Sequence, residues 1–192
     1  MIEIFNKYEL PIRQLYELIN DILDYESFMN RCKSFSILDR SMSDSNYIRF
    51  QVNDEITFLV GVGTSKQNNR KKVISCAVLS ICWWETYSEK DHETQEEYEE
   101  EREKLESIYN QFLTLTIQEI GRPFMQNKDD DQRAYNYAIW KRESGLLILQ
   151  QSSYDPQFGH DINYWIRPWE ADKEIKPSVP FTDWLLKNSS MK

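Results

Sequence analysis

The two residue types most often recruited for general acid–base work stand side by side in "YDPQFGHDINYWIRPW", residues 154–169, where His160 precedes Asp161 just after a Pro and Gly turn. A catalytic pair of this kind needs the carboxylate to accept a hydrogen bond from one ring nitrogen, leaving the other as base. A strand beginning near Gly159 sends His160, Ile162, Tyr164 and Ile166 to one face and Asp161, Asn163, Trp165 and Arg167 to the other. The two neighbours then point apart, so they are not a ready dyad. A histidine base would need a carboxylate from another segment, and a small cytoplasmic enzyme built that way is the alternative to a binding role. The second face of the strand mixes polar and aromatic groups, the chemistry of recognition surfaces, and Tyr154 and Phe158 extend it. An ordinary half-exposed sheet face accounts for the same pattern.

Other catalytic templates are missing from the sequence: there is no GxSxG, no phosphate-cradling Gly-rich loop, no HExxH and no DxDxDG. No residue is therefore assigned a catalytic role. Three cysteines, Cys32, Cys76 and Cys82, lack CxxC spacing. On a strand Cys76 and Cys82 stand roughly 20 Å apart, too far for a disulfide or a shared metal. They read as buried small hydrophobes in a reducing cytoplasm. The chain's two histidines, His92 and His160, add little to a ligand set, so neither a metal nor a cofactor is expected.

The strongest chemical signal is charge. The segment "ETYSEKDHETQEEYEEEREKLE", residues 85–106, holds eleven acids and three bases, a net of 3 − 11 = −8, against −9 for the whole chain. Glutamates favour a helix N-terminus, and Glu100 with Lys104 is a favourable i,i+4 pair. Yet Glu96/Glu100 and Glu99/Glu103 are like charges at the same spacing, so local helix stability does not account for the whole run. Glu96, Glu97, Glu99, Glu100 and Glu103 suit an electrostatic landing site for a basic partner, and they would repel the phosphates of DNA or RNA. A solvated face that aids solubility is the plainer reading.

The elements that must carry these groups are set by hydrophobic periodicity. Residues 8–31 place Leu10, Leu15, Leu18, Ile19, Ile22, Leu23 and Phe28 near helical spacing, with Pro11 in a first turn. Residues 46–62 alternate as a hairpin about Asn53 and Asp54, with one wet face on the first strand. In residues 73–84 both alternating sets are mostly apolar, as in a central strand covered on both sides. Residues 93–120 form one helical stripe, stopped by Gly121 and Pro123. "YNYAIW" and "LLILQQ" make a second hairpin in which Gly145 is expected to supply a positive φ, and residues 160–169 add a third strand. "FTDWLLKN", residues 181–188, reads as a short terminal helix with Thr182 as cap.

Together these give a single α+β domain of 192 residues, with a largely antiparallel sheet of about 5–6 strands flanked by two main helices and a short C-terminal helix. The N-terminus lacks a basic leader followed by an apolar run, and no apolar run approaches the roughly 20 residues of a membrane span, so a cytoplasmic chain is expected.

On "EEYEEEREKLE" and "DINYWIRPW", with its size and missing catalytic motifs, the chain resembles the small acidic immunity proteins with which bacteria neutralise toxins of the polymorphic or contact-dependent kind. The resemblance implies a non-enzymatic protein that blocks a cognate, often basic, toxin domain, with aromatics such as Trp165 or Tyr154 as anchors. It transfers no functional residue. Self-association through an edge strand or a Trp-rich face is a third reading.

Overall fold

A computed structural model of the chain describes residues 2–4, 10–34, 36–39, 47–52, 57–64, 71–84, 95–129, 135–151, 160–169 and 174–175. Nine strands are present among them: β1 (Ile2–Ile4), β2 (Ser36–Asp39), β3 (Tyr47–Gln51), β4 (Thr57–Thr64), β5 (Lys72–Trp84), β6 (Met125–Asp129), β7 (Tyr135–Lys141), β8 (Gly145–Gln151) and β9 (His160–Pro168). All pair antiparallel in one sheet, in the order β2-β3-β4-β5-β9-β8-β7-β6, while β1 pairs with the end of β5 that β4 leaves open. The architecture is α+β, as the periodicity implies, with a larger sheet than expected. The additional strands β1, β2 and β6 are short, and the polar β6 sequence MQNKD lacks the alternation that would mark it.

β5 is central, between β4 and β9, and carries two bulges. Cys76 pairs with Gly61 but Ile74 with Val62, leaving Ser75 as an extra residue; Ser80 pairs with Asn163 but Cys82 with Ile162, leaving Ile81 extra. Each bulge reverses the face to which later side chains point. Ile74, Ala77, Leu79 and Cys82 thereby all enter one core, a set that an unbroken period of two cannot supply. The doubly apolar pattern of β5 thus has a second cause besides cover on both faces. A Cβ on Gly61 would lie 2.6 Å from Ser75 Oγ, so glycine there makes room for the first bulge.

Three helices among the described residues cover the face of the sheet that carries this core: α1 (Ile12–Leu18), α2 (Tyr25–Arg31) and α3 (Gln95–Ile120). The single helix expected over 8–31 is two, and the reason is local. The chain tightens into a 3-10 turn at Ile19–Asp21, and Asp24, in extended conformation, accepts a hydrogen bond from Ser27 N–H at 2.7 Å, capping a new helix. The apolar stripe survives the break, with Leu15, Leu18, Ile19, Ile22 and Phe28 buried, but Leu23 turns outward at 54% exposed.

α3 is a continuous cylinder about 39 Å long. Leu105, Ile108, Tyr109, Phe112, Leu113 and Thr116 are buried, and Gly121, at φ 90°, ends the helix with its N–H donated to the Ile117 carbonyl. Trp140 on β7 donates its indole N–H to the Gly121 carbonyl at 2.8 Å, tying the end of α3 to the sheet. At the β7–β8 turn, Arg142 lies over the Tyr16 ring, 4.0 Å from its centroid, and bonds Glu17 and Asn20 at 3.0 and 2.9 Å. The hairpin tip is thereby fixed to α1. A second, smaller core on the opposite face joins Tyr137, Ile139, Leu146, Ile148, Trp169 and Ile175.

Gly145 departs from its expected role, since its φ is not in the positive region. Close approach explains the glycine instead: a Cβ would stand 2.5 Å from the Arg167 carbonyl and 3.0 Å from Ile22 Cγ2. No described helix is long and apolar enough to cross a membrane. The expected C-terminal helix at 181–188 and the turn residues Asn53 and Asp54 lie outside the described residues. Gly145→Ala should lower stability by about 1–3 kcal/mol in urea unfolding. Gly63→Ala, whose Cβ would meet only Val73 Cγ2 at 3.7 Å, should change it far less.

Candidate functional site

Two regions inherit the chemical signals of the sequence, and the sheet separates them. On the outer side of α3, Glu100, Glu103 and Lys104 are exposed, while Leu105, Ile108, Tyr109 and Phe112 face the core. The helix is held in that orientation partly by polar contact. Thr116 Oγ1 bonds the Phe112 carbonyl at 2.7 Å and meets the Tyr164 hydroxyl of β9 at 2.5 Å, both groups buried. With that contact fixing the inner side, the glutamates must project outward. Glu96, Glu97 and Glu99 belong to the first turns of α3, and their side chains lie outside the described residues.

The salt bridges among the described residues join Arg13 to Glu119, Arg31 to Asp21 and Arg142 to Glu17. None takes in Glu100 or Glu103, so no described lysine or arginine forms a salt bridge with them. Glu96 and Glu100, like Glu99 and Glu103, are one turn apart on this helix, and their charges add to a common field.

The second region is the far face of β9. Asp161, Asn163, Trp165 and Arg167 share that face, as alternation requires, while Ile162, Tyr164 and Ile166 enter the core beneath the helices. They are not, however, a solvent-facing surface. Asn163 and Arg167 are each 3% exposed, and Asp161 and Trp165 are half-buried. The β8 register sets Gln150 against Asn163, Ile148 against Trp165 and Leu146 against Arg167. Asn163 Oδ1, Trp165 Nε1 and Arg167 Nε are closed off from solvent with no hydrogen-bond partner among the described residues. Burial pulls the Arg167 guanidinium down to about 10, partly offset by the nearby Cys76 thiol, so it stays charged at neutral pH.

His160 begins β9 opposite Trp84, and its side chain lies outside the described residues, as do Tyr154 and Phe158. The alternation identified which β9 residues share a face but not that the face would be covered. A signal was available in β8, whose apolar "LLIL" leaves no wet side for a neighbouring strand to share.

A groove of about 640 Å³ opens elsewhere, between the start of α1 and the ends of α2 and α3, lined by Leu10, Pro11, Arg13, Glu17, Arg31 and Glu119. Its charges pair at the rim, Arg13 with Glu119 at 3.6 Å, and Arg31 reaches Asp21. Among the described residues no group of three or more His, Cys, Asp or Glu could hold a metal ion. The three thiols are free and buried, and burial pushes Cys32 and Cys82 up to about 12. Lys72, the first residue of β5, has its Nζ 5.4 Å from the Tyr25 ring centroid.

No family model, no curated protein and no solved structure matches this chain.

Thr116→Val leaves the buried Tyr164 hydroxyl without its partner and should cost about 1–3 kcal/mol in urea unfolding. The raised thiols set a pH dependence of known sign. An unfolded thiol ionises near 9, whereas folded Cys32 and Cys82 keep their protons to about 12. The unfolded chain therefore binds fewer protons above 9, and stability, undiminished below that value, should fall as pH rises from 9 to 10, before Arg167 begins to titrate. Unfolding midpoints measured across that window check the slope.

Proposed function

We propose that this protein is a non-enzymatic binding module whose acidic helix α3 docks a basic protein partner, in the manner of a bacterial immunity protein that blocks a toxin domain in the cytoplasm. The observation that carries the reading is the exposure of Glu100 and Glu103 on the outer side of α3, outside every salt bridge among the described residues. Eight of the chain's nine net negative charges arise in residues 85–106, the segment that runs into the first half of this helix. Like charges one turn apart cost a few tenths of a kcal/mol per pair, and a basic partner would relieve that repulsion on docking. The field also accelerates encounter and orients approach, and it disfavours direct contact with nucleic acid.

The anchors of such an interface belong near α3. The β9 row lies on the other side of the sheet and is buried at Asn163 and Arg167, so its contribution would require that face to be uncovered.

Charge reversal at Glu96, Glu100 and Glu103 to Lys tests the reading on a partner recovered from the native cell. Association should slow by about tenfold or more and lose most of its dependence on salt, with helix content unchanged by circular dichroism. An unaltered rate and salt slope would remove α3 from the interface.

A further inference from the structure

The groove between the start of α1 and the ends of α2 and α3 holds about 640 Å³, the size of a small-molecule site. Leu10 and Pro11, both half-buried, and the buried Leu18 give it an apolar lining. Two of its charged residues are committed elsewhere. Arg31 pairs with Asp21, and Glu17 accepts hydrogen bonds from Arg142 at 3.0 Å and Asn20 at 3.3 Å.

Arg13 and Glu119 are not held in this way. Their side chains, 71% and 52% exposed, stand 3.6 Å apart, beyond hydrogen-bond reach, and an exposed pair of that kind adds little to stability. Arg13 donates at 3.1 Å to the Glu119 backbone carbonyl, which leaves most of the guanidinium donors for another acceptor. The pair can therefore open at little cost, and it sets a cation and an anion side by side at the rim of an apolar hollow.

A ligand bearing one charge is attracted by one member of this pair and repelled by the other. A ligand with both signs close together satisfies both. An α-amino acid carries its ammonium and carboxylate on a single carbon, and the carboxylate matches the planar fork of a guanidinium. The apolar lining then favours a hydrocarbon or aromatic side chain. We propose that this groove binds a free α-amino acid with a large apolar side chain, its carboxylate on Arg13, its ammonium on Glu119 and its side chain against Leu10, Pro11 and Leu18. The site is independent of the docking role of α3, whose exposed Glu100 stands about 28 Å from Glu119 along the helix.

Titration of the full chain with L-phenylalanine, followed through backbone amide resonances, tests the proposal. The resonances of Arg13, Gln14 and Glu119 should shift saturably. L-phenylalaninamide lacks the carboxylate, N-acetyl-L-phenylalanine lacks the ammonium and glycine lacks the apolar body; each should bind about tenfold more weakly or worse. Arg13→Gln and Glu119→Gln should weaken phenylalanine to a similar degree, and Glu119→Gln should also remove the preference over the acetylated compound. Arg49→Gln, at an exposed position on β3, should change nothing. The proposal is overturned if phenylalanine gives no saturable shift at these residues, if any of the three other compounds matches it, or if either groove variant keeps wild-type affinity. Should a variant fail to fold, the comparison of compounds on the wild-type chain decides alone.

Discussion

Antiparallel pairing of β5 with β9 is the constraint on which the rest of the structure depends. Strands β1 to β5 form one half of the sheet and β6 to β9 the other, and the seam from Ala77–Ile166 to Trp84–His160 is their only backbone junction among the described strands. Its cost is entropic, because the two strands are separated by the whole of α3 and the second hairpin. Its return is a continuous apolar floor. Leu79 pairs with Tyr164 and Cys82 with Ile162, and across these pairs the helices bury one core that spans both halves.

The bulges of β5 make that floor continuous. Without the extra residues Ser75 and Ile81, either the middle of the strand or its ends would point away from the helices. The extra residue must be accommodated on the neighbouring strand, and Gly61 does so at the first bulge. At the far end of β9 the same economy of space recurs, where Gly145 lets β8 approach the Arg167 backbone while Ile19 and Ile22 close over it. Arg142, stacked on Tyr16 and bonded to Glu17 and Asn20, then fixes that corner to α1.

The sheet also divides the chemistry of the molecule. On the helical side, docking of Leu105, Tyr109, Phe112 and Thr116 turns the other side of α3 to solvent, and Glu100 and Glu103 stand exposed on it. On the far side, the polar residues of β9 are enclosed with several hydrogen-bonding atoms unanswered. One face thus presents negative potential to solvent and the other keeps a positive group out of it. A buried guanidinium is held in place by the ladder on both sides of β9, whereas the glutamates depend only on the orientation of a helix.

Much of the frame was legible in the residues themselves. Period-two alternation placed β3 and β9, apolar runs beside turn residues placed β4, β7 and β8, and the period of 3.6 placed α3 and its stop at Gly121, because these signals reflect each element's own solvation. The local concentration of charge was equally plain. Pairing, by contrast, was decided in three dimensions: alternation tells which residues share a face, and only the partner strands and the layers above determine whether that face is wet. For that reason Asn163 and Arg167 lie in a buried row, Leu23 turns outward, the helix expected over 8–31 breaks at Asp24, and Gly145 answers to a neighbouring carbonyl and not to a turn.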